Sequence, residues 1–332
     1  MLDDFAEESR SVIKLIDETQ KEIVTTKVSN PYLHAATSDN TRRAYQNDIA
    51  HFISWGGVLP TSPDVIIRYL QDYATRLNPR TLVRRLTAIK HWHTYQNFPD
   101  PTHYPLVRKT LTGIMHVHGK PKERAPALTV EHLTQMARFM RQQDTLIMWR
   151  NNAILQVGFF GAFRVSELIQ IHLEHITFVQ EGMEILIPRS KTDPEGEGQY
   201  CAVPYGDDLL CPVIALKTWC EKANINSGVI FREVDRHQNI GIKPLTSKAI
   251  SMMIKIMAAH CQLPDPNQYS SHSLRRGFAT AASRQGASFV SIMRHGRWRH
   301  EGTVLGYIEE GQCFETNAAK VILQKEKSNA SP

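Results

Sequence analysis

The sequence predicts a mainly α-helical chain of two domains, the second carrying a small three-stranded antiparallel sheet. Three observations predict it. The 332 residues suit two domains at roughly 150 residues each. Apolar residues recur at helical spacing through most of the chain, and only residues 176–204 switch to short strand-like runs joined by polar turns. Hydrophobic residues make up 42% and charged residues 22%, near the globular average, which excludes disordered, collagen-like and coiled-coil chains.

Residues 1–27 form an N-terminal extension with acids (Asp3, Asp4, Glu7, Glu8) where a secretory signal would be basic and then apolar. No apolar run of about 18 residues occurs, so no membrane span is expected. The first domain covers 28–118. Ser38 or Asp39 caps its first helix, in which Tyr45, Ile49, Phe52 and Ile53 fall at i, i+4, i+7 and i+8, and Gly56-Gly57 ends it. A second helix starts after Pro63. In the third, Leu82, Leu86, Ile89 and His93 share one face, while Arg80, Arg84, Thr87 and His91 share the opposite one. A charge stripe alone is the ordinary mark of a solvated helix. Arg42, Arg43, Arg108 and Lys109 on neighbouring segments extend this one into a basic surface.

From His116 to Pro126 the sequence HVHGKPKERAP loses apolar periodicity, which predicts a linker at 119–127 and a second domain over 128–332. Thr129 opens a helix with Leu133, Met136, Ala137 and Met140 on one side. An apolar helix through Ala153, Leu155 and Val157 follows, with Gly158 and Gly161 as interruptions. Three strands come next: ITFV, a turn at Glu181-Gly182, MEILIP, the polar turn SKTDPEGEG, and YCAVP. The helical pattern then returns and continues to the end.

Lys and Arg number 39 against 33 Asp and Glu, a net charge of +6, with 15 His. That balance admits an anionic partner without requiring one. The five cysteines (Cys201, Cys211, Cys220, Cys261, Cys313) are odd in number and lack CxxC pairing, which points to free thiols in a reducing compartment rather than a zinc site.

Five places in the second domain invite a chemical reading, and each alone has an ordinary structural one. Arg164 and Glu167 lie three apart on a predicted helix and would make an ion pair. Lys191 sits in the polar turn between two strands. His272 and Arg275, again three apart, open a helix capped by Ser271. Trp298 follows Gly296 and would normally be core, and Tyr307 comes nine residues later near a helix end.

The ordered set is more specific than its members. An arginine with an acid three later, a hairpin lysine, H-x-x-R, and then W-x8-Y resembles the tyrosine recombinase (phage integrase) family, and within it most of all the Cre branch. The segments that carry the likeness are GAFRVSEL, PRSKT, SHSLRRGFA and VSIMRHGRWRHEGTVLGYIE. Trp298 stands where most of the family has histidine and Cre-like members have tryptophan. SDNTRRAYQNDIAHFISWG and NPRTLVRRLTAIKHWHTY resemble the family's core-binding helices, so the likeness runs from about residue 30 to about 325.

The resemblance implies a helical, SAM-like core-binding domain followed by the tyrosine recombinase catalytic fold. It also implies site-specific DNA recombination through a 3′-phosphotyrosyl intermediate and a Holliday junction, with no metal, ATP or other cofactor. Its catalytic set would be Arg164, Glu167, Lys191, His272, Arg275, Trp298 and Tyr307. Two arginines suit non-bridging phosphate oxygens because their donors are bidentate and permanently charged. A tyrosine of pKa about 10 needs a proton acceptor, the role of His272, and the leaving 5′-oxygen needs a proton, the role of Lys191. Glu167 would orient Arg164 or His272, and Trp298 would donate to a phosphate oxygen and buttress Tyr307. Arg42, Arg43, Arg80, Arg84, Thr87 and His91 would contact DNA.

The implied partners are double-stranded DNA with inverted-repeat half-sites and three further copies of the chain, a homotetramer on two synapsed sites. The helix Glu315 to Lys327, with Ala318, Val321 and Ile322 on one side, would dock in trans, the alternative being that it packs on its own domain. The expected location is the cytoplasm, on the nucleoid. Two rivals are a type IB topoisomerase, opposed by the core-binding helices and the Cre-like tail, and a DNA-binding protein without catalysis, opposed by the presence of every catalytic residue type.

Overall fold

A computed structural model of the chain describes residues 36–121, 123–190, 195–207 and 209–312, together with Tyr32, Asp193 and Ala319. The N-terminal extension, Lys191, Cys313 and the expected helix Glu315 to Lys327, Ala319 apart, lie outside the described residues. The chain divides between 122 and Glu123 into two compact units.

In the first unit, helix α1 (Asp39–Ser54) is capped by Ser38, whose hydroxyl accepts the Thr41 N–H. Helix α2 (Pro63–Tyr73) starts on a proline, whose missing N–H costs nothing in a first turn. Helix α3 (Pro79–Tyr95) is capped by Asn78 and helix α4 spans Pro105–His118. Phe52, Ile66, Tyr69, Leu82, Ile89 and Val107 meet at the centre. Leu82, Leu86, Ile89 and His93 all face inward.

The second unit begins with α5 (Val130–Gln143), capped by Thr129, and α6 (Leu146–Phe160). Every residue of α6 from Arg150 to Phe159 is buried, which makes it the central helix, covered on all sides. Gly158 does not interrupt it, contrary to expectation. A Cβ there would lie 2.8 Å from Leu274 Cδ1, so the glycine serves close packing, and the helix stops at Gly161.

After the short helix α7 (Val165–Leu168), strands β1 (Ile176–Val179), β2 (Gly182–Ile187) and β3 (Gln199–Pro204) form an antiparallel sheet in sequence order, with Ile185 opposite both Ile176 and Cys201. Met183, Ile185 and Ile187 turn into the core and Glu184 turns out. Helix α8 (Pro212–Lys222) packs on α6.

The expectation that the rest is helical needs correction. Strands β4 (Arg232–Val234) and β5 (Ile240–Pro244) pair antiparallel around a turn fastened by Asp235. At three residues and with a charge inside it, β4 lacks the alternation that marks a strand in sequence.

Helices α9 (Ser247–His260), α10 (Ser271–Arg284), α11 (Phe289–Gly296) and α12 (Glu301–Gln312) complete the unit. Cys201, Cys211, Cys220 and Cys261 are free thiols. Among the described residues no helix is long and apolar enough to cross a membrane.

Candidate functional site

Four segments of the second unit converge: the turn between α6 and α7, the start of α10, the end of α11 and the middle of α12. A small apolar cluster of Ala279, Ile292 and Val304 holds the last three together, with Met293, Trp298 and Tyr307 against it.

The turn at 161–164 is tight. Gly161 closes α6, and Ala162 lies in the left-handed region at φ 46, a conformation a side chain disfavours. The result is two carbonyls, of Gly161 and Ala162, that receive arginine donors from α10 and the end of α11. Arg164 does not sit inside a helix as expected; it is the N-cap of α7. Its backbone N–H donates to Glu167 Oε2 at 3.0 Å and its Nη1 donates to Glu167 Oε1 at 2.6 Å. Glu167 is 5% exposed, so this is a buried charge-assisted pair rather than a surface one.

Helix α10 opens one residue before the expected place. Ser270, not Ser271, is the cap, in a reciprocal box with Ser273. His272 is exposed in the first turn and Arg275 follows one turn later, 5% exposed. Arg275 Nη1 donates to the Ala162 carbonyl, and the guanidinium lies 4.0 Å from the centre of the Trp298 ring. Its Nη2 is buried with no hydrogen-bond partner among the described residues. Burial first, and then the Arg164 charge, lower its pKa to about 9. At neutral pH it stays a cation.

Trp298 reaches that position because α11 ends abruptly. Arg297 adopts left-handed geometry, and the indole folds back onto Gly296, where a Cβ would come within 1.6 Å of the ring. The Trp298 and Tyr307 rings stand 6.3 Å apart at 65°. Tyr307 is fixed from behind by the Thr280 hydroxyl, which donates to its carbonyl at 3.2 Å. The Arg276 guanidinium lies 5.8 Å from the tyrosine ring.

Arg164, Glu167, Arg275, Trp298 and Tyr307 are thus brought together, and His272 lies one turn from Arg275. Lys191 falls outside the described residues; Asp193 organises the segment 196–198 that leads into β3. The Asp193 carboxylate accepts the N–H groups of Gly196, Glu197 and Gly198 at 2.9–3.2 Å. Those bonds hold the acid below the usual carboxylate range.

Sequence reasoning missed Arg297, which is buried and 3.5 Å from Glu167. It also missed His295, whose Nε2 donates to the Phe160 carbonyl at 2.6 Å and whose pKa is lowered by burial. The available signal was an arginine wedged between Gly296 and Trp298 at a helix stop.

The residues expected to contact DNA belong to the other unit. Arg80 and Arg84 are exposed along α3, yet each has an internal partner: the Lys120 carbonyl at 3.1 Å for Arg80, and buried Asp48 at 2.8 Å for Arg84. The Thr87 hydroxyl donates to the Val83 carbonyl, and His91 packs between Tyr45 and Tyr95. Arg42 pairs with Asp39, and Arg43 is exposed.

The sequence pattern of the phage integrase family matches residues 126–312. An integrase/recombinase xerD homolog of Selenomonas ruminantium is 34% identical over 302 residues, 88% of each chain. Among solved structures, the XerH site-specific recombinase bound to a palindromic difH substrate, in a post-cleavage complex, superimposes with a TM-score of 0.60 at 13% identity, over 85% of this chain and 79% of that one. The Tn1549 transposon integrase in complex with transposon right end DNA gives 0.60 at 12% identity, over 94% and 98%. The relatives are XerD-like, and they do not support the expected placement in the Cre branch.

Proposed function

The chain belongs to the phage integrase family and is a site-specific DNA recombinase that cleaves and rejoins DNA; from that premise we propose that Tyr307 is its nucleophile and that Arg164 and Arg275 bind the scissile phosphate. The observation that carries this reading is the unsatisfied cation. Among the described residues, Arg275 is buried with an unpartnered Nη2, beside Arg164 and Arg297, and Glu167 is the acid that acts on all three. A buried charge left in that state is costly unless an anion completes the site, and a phosphodiester presents two non-bridging oxygens to do so.

In the proposed reaction the Tyr307 oxygen attacks phosphorus, a 3′-phosphotyrosyl bond forms, and the bond from phosphorus to the 5′-oxygen breaks. The phenol proton passes to His272, at the exposed first turn of α10, and Lys191 protonates the departing 5′-oxygen. Negative charge that grows on the phosphate falls among arginines already fixed by Glu167 and the Ala162 carbonyl, so little reorganisation is needed. The Trp298 ring lies against the Arg275 guanidinium at 4.0 Å and meets the Tyr307 ring at 65°. Rejoining is the reverse with a new 5′-hydroxyl, and the phosphotyrosyl bond conserves the energy of the broken one, so the scheme draws on neither ATP nor a metal.

We extend the reading to the assembly: four copies on two synapsed sites with inverted-repeat half-sites, exchanging the segment Glu315 to Lys327 in trans and resolving a Holliday junction. Residues 28–118 would act as the core-binding DNA domain, 119–127 as the linker and 128–332 as the catalytic domain, working on the nucleoid in the cytoplasm. The periodic Ala318, Val321 and Ile322 support the exchange.

Tyr307→Phe should bind DNA and form no covalent adduct, whereas the wild-type chain should be trapped on DNA whose sequence then identifies the target. An adduct that persists in the phenylalanine variant would remove Tyr307 from the role.

A further inference from the structure

Arg297 stops helix α11 at φ 56 and ψ 43. This is left-handed geometry that glycine adopts freely and other residues enter only when something holds them there. The side chain runs inward and the residue is 8% exposed. Nη1 donates to the His295 carbonyl at 2.7 Å, and Nη2 donates to the Gly161 carbonyl at 3.0 Å and lies 3.5 Å from Glu167 Oε2. The guanidinium also covers the Phe163 ring at 4.9 Å. In the other direction, the Arg297 carbonyl accepts Arg164 Nη2 at 3.3 Å.

Arg164 is therefore held at two points, by Glu167 on Nη1 and by the Arg297 backbone on Nη2. Glu167 is in turn held by the Arg297 side chain. A plain helix stop would need none of this, because glycine would supply the same backbone turn without strain. Nη1 and Nη2 are spent on the elements that carry Arg164, Glu167 and Trp298, while Nε is buried without a partner among the described residues.

We propose that Arg297 is a positioning residue for strand cleavage: through Glu167 and through its own carbonyl it fixes the Arg164 guanidinium at the scissile phosphate without touching that phosphate. The inference rests on the reading of Arg164 as a phosphate-binding group. Removing the brace leaves Arg164 charged but loose, and its misplacement is felt only where negative charge on the phosphate must be met.

The test uses the full chain and the DNA site recovered by trapping on Tyr307. Single-turnover cleavage is compared on the ordinary phosphodiester and on the same DNA with a methylphosphonate at the scissile position, which lacks the non-bridging charge. R297G suits the backbone turn and deletes the brace; it should cleave the phosphodiester roughly 10- to 100-fold more slowly than wild type, the scale of a small misplacement. On the methylphosphonate its deficit should shrink to about threefold or less. R297K keeps a charge but loses the planar fork and should fall between the two. Should R297G fail to fold, R297K and E167Q carry the same comparison of substrates.

Equal losses on both substrates, or no loss, would overturn the positioning role. Absence of a Tyr307 adduct in the wild-type chain would instead overturn the functional reading beneath it.

Discussion

Arg42 and Arg84 of the first unit reach the surface and pair with acids, whereas Arg164, Arg275 and Arg297 of the second are drawn inward around one. Arg84 is 53% exposed at its side chain and pairs with Asp48; Arg42 pairs with Asp39. Arg275 and Arg297 are almost fully covered; Glu167 pairs with Arg164 and Arg297 and acts on Arg275 through its charge alone. The difference teaches that similar residues are suited to two physical tasks. An exposed, locally neutralised arginine on a rigid helix can exchange its partner for a phosphate along a backbone and is screened by salt. A buried, under-compensated arginine stays put and waits for one particular anion, which low local dielectric makes worth far more.

The largest expected effect breaks the second task alone. Arg275→Ala should lower single-turnover cleavage by about 10³-fold, the scale of losing one preorganised donor at developing charge, with a much smaller change in DNA affinity. Comparable losses in binding and cleavage would make Arg275 one more backbone contact, and the contrast between the units would collapse. Next comes Gly296→Ala, which adds a single methyl group where the indole lies. Trp298 must leave the face of Arg275, so cleavage should drop by roughly 10²-fold, with a shift in tryptophan fluorescence. Unchanged fluorescence and rate would show that Trp298 is not held where Gly296 puts it.

How much of this was readable beforehand depends on how far each feature reaches along the chain. The apolar faces of α3 and α5, the Thr129 cap and the three strands follow from residues within a turn or two of one another, and the structure keeps them. Gly158 was misread because its reason is Leu274, in a helix far away in sequence. Strands β4 and β5 were missed because pairing, rather than pattern, makes them strands. The ordered motif was visible as a resemblance, yet Arg297 was not. Its contacts with Gly161 and Glu167 span more than a hundred residues, and its one local cue, the place between Gly296 and Trp298, does not say that its side chain turns inward while those of Arg294 and Arg299 stay at the surface.

In the first unit the expected effects are smaller, and the partners found for Arg80 and Arg84 separate two residues that the stripe treated alike. Arg80 donates to a backbone carbonyl at the surface, so Arg80→Ala should reduce the salt slope of DNA binding by about one and leave stability alone. Arg84→Ala should do the same to the slope and also destabilise the unit by about 1–3 kcal/mol, because buried Asp48 loses its nearest cation. Binding isotherms at several salt concentrations, with thermal melts of each variant, measure both. An unchanged slope in Arg80→Ala would return α3 to an ordinary solvated helix.

The smallest effect compares one histidine from each unit. Burial lowers the pKa of both His51 and His295; Arg85 adds to this at His51, as do Arg297 and Arg275 at His295, where the bond to Phe160 opposes it. In the unfolded chain each titrates near the ordinary value of about 6.5. Below that pH the unfolded state binds a proton that the folded state resists, so their contribution is complete above about pH 6.5 and is lost as pH falls toward the folded values. His295 lies in the more enclosed setting, facing two arginines that add to burial in disfavouring its protonation. Thermal midpoints should therefore fall between about pH 7 and pH 5.5, and His295→Gln, which can still donate to the Phe160 carbonyl, should flatten that fall more than His51→Gln does. The reverse order would mean that the first unit, not the arginine cluster of the second, holds its histidine under the greater electrostatic load.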